Sequence, residues 1–312
     1  MSVIAALFGG QGSQYPGMGK SLYEASGEAK KVYECAGDIL GFDMAGVSFE
    51  GSLEDLTRTD ICQPAIFTHS LAAWEASRDR LPAITAVAGH SVGEYAALCC
   101  VGAFSLEDGF RIIGARAKVM GEAARLAAGT MVAVAGSEPE VINGICEKHE
   151  RVWAVNFNLP GQIVISGAVE DCLAAAQELA DLGAKTTRLS VGSAFHTPLM
   201  QPASDRLRDL ISGISYKQPG CDFYSNLTGG LLKIENYTDY FITHMVSPVR
   251  FADQIAAMSA AGIDTCIEFG PGKTASTLAK KNNRALTTTT VDTIETLEKT
   301  VATLSASNAA IS

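Results

Sequence analysis

A serine stands at the centre of Gly89-His90-Ser91-Val92-Gly93, in a pattern that suits a nucleophile. Residues 84–88 before it are mostly apolar or β-branched and predict a buried strand, and the Ala- and Leu-rich residues 94–101 predict a helix. A serine held at such a strand-to-helix turn is exposed, and the N–H of its neighbour can stabilise an oxyanion. The alternative interpretation of the pentapeptide is an ordinary tight turn.

A serine nucleophile needs a base, and the position of His196 suits that role best among the five histidines. His196 precedes Thr197-Pro198, a typical helix start, which predicts that it lies in a loop where two parts of the chain meet. His244 is the second candidate. Of the other three, His69 is predicted to be a core residue and His149 to lie at a solvated helix end. His90 is predicted to be oriented by the turn that carries the serine.

Arg116 is the residue that best distinguishes between reaction types. Ser105 can cap a helix on which Arg116 falls in the middle of an apolar face that includes Ile112 and Met120. An unpaired cation there would be costly, so it must meet an anion. Two interpretations stay open, a structural salt bridge to an internal acid or a bidentate clamp on a substrate carboxylate, which Arg suits and Lys does not.

The glycine-rich residues 9–14 resemble a phosphate loop only superficially. No lysine follows them and the spacing G-x-G-x-x-G is absent, so nucleotide binding is not expected. The glycines instead allow backbone N–H groups to approach another group closely. That suits a second oxyanion donor and equally a simple tight turn.

The elements that must position these residues alternate between strand and helix over about the first 125 residues. This alternation predicts an α/β fold with a mostly parallel sheet covered by helices on both faces. After residue 197 a helix, a strand, a helix and a strand follow, and the small polar tail after Val301 is predicted to be frayed. The predicted strands here are 3–8, 84–88, 222–225 and 265–269, and the predicted helices 20–40, 64–78, 94–101, 105–125, 197–212 and 248–261.

The pattern changes near Gly129. The order strand 131–135, helix 138–149, strands 152–156 and 162–166, helix 168–182 and strand 185–191 is the split β-α-β-β-α-β arrangement of ferredoxin-like domains. We therefore predict a small inserted domain at 129–192 and a large domain formed by 1–128 and 193–312. A cleft between the two would be a natural substrate site.

Charge and cysteine usage limit the partners. The chain has 312 residues, of which 47% are hydrophobic, and a formal net charge of −10, which argues against nucleic acid. No apolar run approaches the ~20 residues that cross a bilayer. The start of the chain lacks the basic region of a signal peptide, and its eight cysteines form no C-x-x-C pair. We therefore expect no membrane span, no disulfide framework, no metal site, and a cytoplasmic location.

Seven motifs in the same order along nearly the whole chain resemble those of the malonyl-CoA:acyl carrier protein transacylase family, which includes the acyltransferases of polyketide synthesis. Beyond the serine pentapeptide and its Glu94, the family's carboxylate-binding arginine helix is matched by Arg116 and Met120. The remaining motifs are Gly10-Gln11-Gly12-Ser13-Gln14, Gln63-Pro64-Ala65, Asn156-Phe157-Asn158-Leu159-Pro160-Gly161-Gln162, Ala194-Phe195-His196 and Glu268-Phe269-Gly270-Pro271-Gly272.

The resemblance implies an α/β-hydrolase-like large domain with a ferredoxin-like insert, and a role for each matched residue. Ser91 is the nucleophile and His196 the base, oriented by the backbone carbonyl of Arg250. The backbone N–H groups of Gln11 and Val92 form the oxyanion hole. Arg116 binds the free carboxylate, and three further residues belong to the substrate site: Gln63, His90 and Phe195.

The function implied is transfer of malonyl from coenzyme A to the phosphopantetheine thiol of an acyl carrier protein, through a malonyl-Ser91 intermediate, in fatty acid or polyketide synthesis. Malonyl-CoA is then a substrate, the partner carries the phosphopantetheine, and no cofactor is bound. A serine hydrolase such as a thioesterase is the main rival, although no acidic residue before His244 has a clear acid-loop setting. A non-catalytic docking subunit is the second rival.

Overall fold

The computed structural model describes residues 2–126 and 128–309, which form two sheets and the helices around them. The strands are β1 (Ile4–Phe8), β2 (Ala86–Gly89), β3 (Gly129–Ala135), β4 (Val152–Leu159), β5 (Gln162–Ala168), β6 (Lys185–Arg188), β7 (Asp222–Ser225), β8 (Gly230–Leu231), β9 (Thr265–Phe269) and β10 (Thr287–Val291). The α-helices are α1 (Lys20–Ala25), α2 (Gly27–Leu40), α3 (Met44–Glu50), α4 (Leu53–Thr57), α5 (Thr59–Ser77), α6 (Gly93–Cys100), α7 (Leu106–Leu126), α8 (Pro139–Cys146), α9 (Val169–Asp181), α10 (Gln201–Ile211), α11 (Tyr237–Val246), α12 (Phe251–Ala260), α13 (Thr274–Asn282) and α14 (Ile294–Ala309). Two short 3₁₀ helices cover Arg78–Arg80 and Pro198–Met200.

The larger sheet has the strand order β10-β9-β1-β2-β7-β8 and is parallel except for β8. Every residue of β1 is buried, because helices cover both faces. Ile4, Ala6 and Phe8 belong to one apolar cluster and Ala5 and Leu7 to another. The predicted α/β fold with a mostly parallel sheet is confirmed.

The smaller sheet is antiparallel, with the order β4-β5-β3-β6 that is typical of a ferredoxin-like unit. Its strands all lie between Gly129 and Arg188, inside the predicted insert, and α8 and α9 share a separate apolar cluster with it. The segment between α11 and α12 pairs with the smaller sheet, since the Phe157 N–H donates to the Val249 carbonyl at 2.9 Å and the Val249 N–H to the Val155 carbonyl at 2.7 Å.

Two sequence predictions about elements are wrong. The helix predicted from 248 begins at Phe251, because Val249 is extended against β4. The predicted frayed tail is helical as far as Ala309, and residues 310–312 lie outside the described part. The helical segment predicted over 197–212 is confirmed: it begins as a 3₁₀ turn capped by Thr197, whose hydroxyl accepts the Leu199 N–H at 3.2 Å, and continues as α10.

The topology positions the loops that carry the predicted chemistry. In the parallel register Phe8 lies beside both Gly89 and Phe269, the last residues of β2 and β9. The glycine-rich loop after β1, the serine turn after β2 and the loop after β9 therefore leave the sheet at one edge, the carboxyl edge where open α/β sheets bind ligands.

Candidate active site

Ser91 lies in a tight turn between β2 and α6, with a left-handed backbone φ of 52°. Both flanking positions must be glycine, because the packed backbone leaves no room for a side chain there. A Cβ on Gly89 would lie 2.2 Å from the backbone N of Glu94, and one on Gly93 would lie 2.2 Å from the carbonyl O of Phe8. The strand and helix therefore pack close enough to hold the strained serine, as a nucleophile turn requires.

His196 contacts the serine directly. Its Nε2 lies 2.7 Å from Ser91 Oγ, and its Nδ1 lies 3.0 Å from the carbonyl O of Ser247 and 3.2 Å from that of His244. Because carbonyls only accept, Nδ1 carries the proton and Nε2 can accept the serine hydroxyl. Burial, followed by the charge of Arg116, lowers the pKa of His196 to about 3, so the ring is neutral at physiological pH.

The carbonyl that orients His196 is not that of Arg250, and the prediction for this residue is wrong. The Arg250 carbonyl accepts the Gln254 N–H at 3.1 Å in the first turn of α12, and the Arg250 side chain pairs with Asp253. The carbonyls that face His196 lie at the end of α11, where the last helical carbonyls have no partner within the helix.

Two backbone donors lie beside this pair. The N–H groups of Gln11 and Val92 have no acceptor among the described residues, and both residues line the cavity that contains Ser91. Val92 is the N-cap of α6, so its N–H lies at the positive end of a helix dipole. The arrangement can therefore stabilise negative charge that develops next to the serine.

Arg116, on α7, is only 1% exposed and yet has no acidic partner within 4 Å among the described residues. One guanidinium nitrogen, Nη1, donates to Gln63 Oε1, and the group lies 5.0 Å from the centre of the Tyr95 ring. Its Nε and Nη2 have no hydrogen-bond partner in the described structure. Of the two interpretations left open by the sequence, the internal salt bridge is wrong, and a buried cation with two free donors is suited to an anionic ligand.

One cavity of about 80 Å³ brings the predicted residues together. Its lining contains every predicted site residue except Arg250, namely Gln11, Gln63, His90, Ser91, Val92, Arg116, Phe195 and His196. A nucleophile with its base, two oxyanion donors and a carboxylate-binding cation around one space is the arrangement expected for transfer of an acyl group that bears a carboxylate.

Comparison with known proteins agrees with this geometry. Residues 6–305 match the family described as "Acyl transferase domain". The malonyl CoA-acyl carrier protein transacylase of Bacillus subtilis (strain 168) is 38% identical, with 99% of each chain covered. This chain belongs to the malonyl CoA-acyl carrier protein transacylase family. The resemblance predicted from the seven motifs is confirmed.

Solved structures of the transacylase family superpose closely on the chain. The crystal structure of the Clostridium perfringens transacylase gives a TM-score of 0.94 at 35% identity, with 99% of both chains covered. A malonyl-transacylase solved in complex with a type II polyketide synthase acyl-carrier protein gives 0.92 at 30% identity, covering 97% of this chain and 100% of that one. Family membership and fold are thus supported by two independent kinds of comparison.

The other histidines have partners away from the Ser91 hydroxyl. His90 lines the cavity, but its Nε2 is bonded to Asn158 Oδ1 at 2.8 Å, and its role in substrate binding stays a prediction. His244, the second candidate for the base, is fully buried with Nε2 3.2 Å from Glu94 Oε2. His69 is a buried core residue as predicted, and His149 pairs with Glu178 at 2.8 Å.

Sequence reasoning missed part of the cavity wall. Met131, Asn156, Leu189 and Val191 line it from the smaller sheet and the segment after β6. Asn156 belongs to a motif that the sequence did indicate, and its Oδ1 is buried without a partner in the described structure. The apolar residues carry no sequence signal, because a strand residue that faces a cleft has the same composition as one that faces a core.

Proposed function

We propose that this protein transfers a malonyl group from coenzyme A to the phosphopantetheine thiol of an acyl carrier protein, through a malonyl ester on Ser91. One observation carries the choice of acyl group: Arg116 is buried in the same cavity as Ser91 and His196, with two nitrogens free of any partner in the described structure. Malonyl is a short acyl chain that ends in a carboxylate, so one molecule satisfies the cation and reaches the serine.

The first half-reaction acylates the serine. His196 Nε2 takes the Ser91 hydroxyl proton as Oγ attacks the thioester carbonyl, and the resulting oxyanion is held by the N–H groups of Gln11 and Val92. When the intermediate collapses, the C–S bond breaks and the imidazolium returns the proton to the coenzyme A sulfur. The products are malonyl-Ser91 and free coenzyme A.

The second half-reaction reverses these steps with a different thiol. His196 takes the proton of the phosphopantetheine thiol, the sulfur attacks the ester carbonyl, and the proton passes to Ser91 Oγ as the C–O bond breaks. Arg116 holds the carboxylate in both halves, which positions the thioester and selects malonyl over acetyl groups. The relatives whose names and complexes include acyl carrier protein support this choice of acceptor.

Phe195 is the proposed determinant against branched acyl groups. It lines the cavity next to His196 and is 6% exposed, so its ring fills space that an α-methyl substituent would need. We therefore propose malonyl rather than methylmalonyl as the group transferred.

We also propose that the enzyme works in the cytoplasm without a bound cofactor. The chemistry is supplied by a serine, a histidine and backbone amides, none of which needs a metal or a prosthetic group. The eight cysteines are unpaired, as is common in a reducing compartment. No helix in the described residues has the length and apolar character to cross a bilayer.

Intact-mass measurement after mixing with malonyl-CoA tests the proposal. We expect a malonyl adduct on the wild-type chain, none on Ser91→Ala, and loss of the adduct when a phosphopantetheinylated carrier protein is added. An absent adduct would favour a docking subunit, and coenzyme A release that is equally fast without carrier would favour a hydrolase. Either result would reject the transferase.

A further inference from the structure

The side chain of Asn226 is not part of the cavity lining and bridges the two ends of the serine turn. Its Oδ1 accepts the backbone N–H of Ser91 at 2.8 Å, and its Nδ2 donates to the carbonyl of Gly89 at 2.7 Å. One amide therefore bridges the residue that ends β2 and the residue that carries the nucleophile. Ser91 has a φ of 52°, a left-handed conformation that is strained for a residue with a side chain and persists only where its surroundings hold it.

The same amide is linked to the elements that hold the base. Asn226 Oδ1 lies 3.2 Å from His244 Nε2, and the His244 carbonyl lies 3.2 Å from His196 Nδ1. The Asn226 carbonyl accepts the backbone N–H of Arg250, at the start of α12. A change at Asn226 would thus disturb both Ser91 and the end of α11 from which His196 is oriented.

Asn226 is itself fixed on every side. It is fully buried, its backbone N–H donates to Glu94 Oε1, and its Nδ2 also donates to Gln254 Oε1 at 2.9 Å. Glu94 accepts the Tyr240 hydroxyl at 2.7 Å, which holds the carboxylate in turn. The polar atoms of the Asn226 side chain and both oxygens of Glu94 all have partners, and such an arrangement specifies one geometry, because any shift leaves one of these buried atoms without a partner.

We propose that Asn226 is a positioning residue for acyl transfer: it fixes the backbone of Ser91 in the strained conformation that aligns Oγ with His196 Nε2. Asn226 acts through Ser91 and has no hydrogen bond to Arg116. We therefore expect it to affect the rate of acylation and not the binding of malonyl. The inference rests on the proposed function for its substrate, but the alignment of Ser91 can be tested without malonyl-CoA.

Two substitutions separate positioning from stability. Asn226→Ala removes the acceptor of the Ser91 N–H. Asn226→Asp keeps that acceptor but replaces Nδ2 by an oxygen facing the Gly89 carbonyl and Gln254 Oε1, next to Glu94, so it destabilises the fold at least as much. Ser77→Ala is the matched control, because Ser77 is equally buried but its hydroxyl bonds only to carbonyls of its own helix, α5, and not to the network around Asn226.

The readouts are the single-turnover rate of Ser91 acylation by malonyl-CoA, the KM for malonyl-CoA, the rate of reaction with a small serine-directed sulfonyl fluoride, and the melting temperature, all measured below each variant's melting point. We expect Asn226→Ala to lower both serine reaction rates by about 10²-fold while KM changes less than about threefold, since small misalignments of reacting atoms cost that much. Asn226→Asp should retain more of the rate than Asn226→Ala despite a melting temperature that is no higher. Ser77→Ala should react at the wild-type rate.

Rates that follow melting temperature across the three variants, or an Asn226→Ala rate within threefold of wild type, would overturn the proposal. Failure of the proposed function looks different. In that case the wild-type chain forms no malonyl adduct, whereas the sulfonyl fluoride still reports whether Asn226 aligns Ser91.

Discussion

Arg116 and Glu94 are both buried near Ser91, and they differ in how well their polar atoms are satisfied. Arg116 has two nitrogens with no partner in the described structure, whereas both oxygens of Glu94 accept hydrogen bonds, one from the Asn226 N–H and one from the Tyr240 hydroxyl. Both side chains are at most 1% exposed. Burial alone therefore does not distinguish a binding group from a structural one.

The difference in hydrogen bonding does distinguish them. A buried polar atom without a partner is costly, so such atoms persist where a ligand supplies the partner. The cavity side, with Arg116 and Ser91, is incomplete until an anionic acyl group enters. The network side, with Glu94 and Asn226, is complete without a ligand and supports the geometry. Each prediction below changes one side and leaves the other in place.

Removing the base should have the largest effect on the cavity side. In His196→Ala the Ser91 hydroxyl has no proton acceptor, and we expect malonyl transfer to fall by about 10³-fold, within the range of general-base contributions. Steady-state transfer to a carrier protein measures it. His149→Ala, which loses only a pair with Glu178, is the control. A loss of less than tenfold in His196→Ala would mean that another group serves as the base.

Removing the cation should affect malonyl and acetyl groups unequally. Truncating one partner of a buried charge pair costs about 3–4 kcal/mol in the middle of the usual range, so kcat/KM for malonyl-CoA should fall by about 10²–10³-fold in Arg116→Ala. Acetyl-CoA has no carboxylate and should lose no more than about threefold. Arg111→Ala changes an exposed arginine on the same helix and should change neither. Equal losses for the two substrates in Arg116→Ala would contradict the carboxylate clamp.

The same substitution should move the acid limit of activity. His196 acts as a base only when neutral, so activity is lost as the pH falls through its pKa. Burial and the charge of Arg116 both lower that pKa, to about 3. Removing the charge raises the pKa, so the acid limb of serine acylation by acetyl-CoA should lie at higher pH in Arg116→Ala. Arg116→Lys keeps the charge and should show the wild-type profile, and an unmoved limb in Arg116→Ala would show that the two groups are not coupled.

Local sequence signals were enough for most of the cavity side. The turn at Ser91, the apolar face that buries Arg116 and the loop position of His196 all follow from residue types at short spacing, and the structure places all three around one cavity. The strand and helix alternation likewise predicted the parallel sheet. These predictions were correct because glycine, β-branched and helix-forming residues determine the backbone conformation of their immediate neighbours.

The network side was not predicted, because it depends on contacts between distant parts of the chain. Asn226 and Ser91 are 135 positions apart, and a buried asparagine has no periodic pattern that indicates its partners. The wrong prediction that the Arg250 carbonyl orients His196 has the same cause, a contact between distant parts of the chain. Which carbonyl faces His196 depends on where α11 ends and on the pairing of Val249 with the smaller sheet, and neither is encoded near His196.

The prediction for the network side is a change in stability with pH. Burial raises the pKa of Glu94 from 4.5 to about 8, although the hydrogen bonds from Tyr240 and Asn226 oppose the rise. Between those values the folded protein keeps a proton that the unfolded chain releases, so this group's contribution to the free energy of unfolding falls as the pH rises. Glu94→Gln cannot titrate, and its stability should decline less over that window, by at most about 1.4 kcal/mol per pH unit.

Urea unfolding at a series of pH values measures this slope, with the exposed Glu54→Gln as the control that leaves it unchanged. A wild-type slope equal to that of Glu94→Gln would mean that Glu94 is charged in the fold. The network would then contain a fixed negative charge opposite the fixed positive charge of Arg116. The two sides of the serine turn would differ in sign and in hydrogen bonding, and removal of the Glu94 charge should then also lower the pKa of His196.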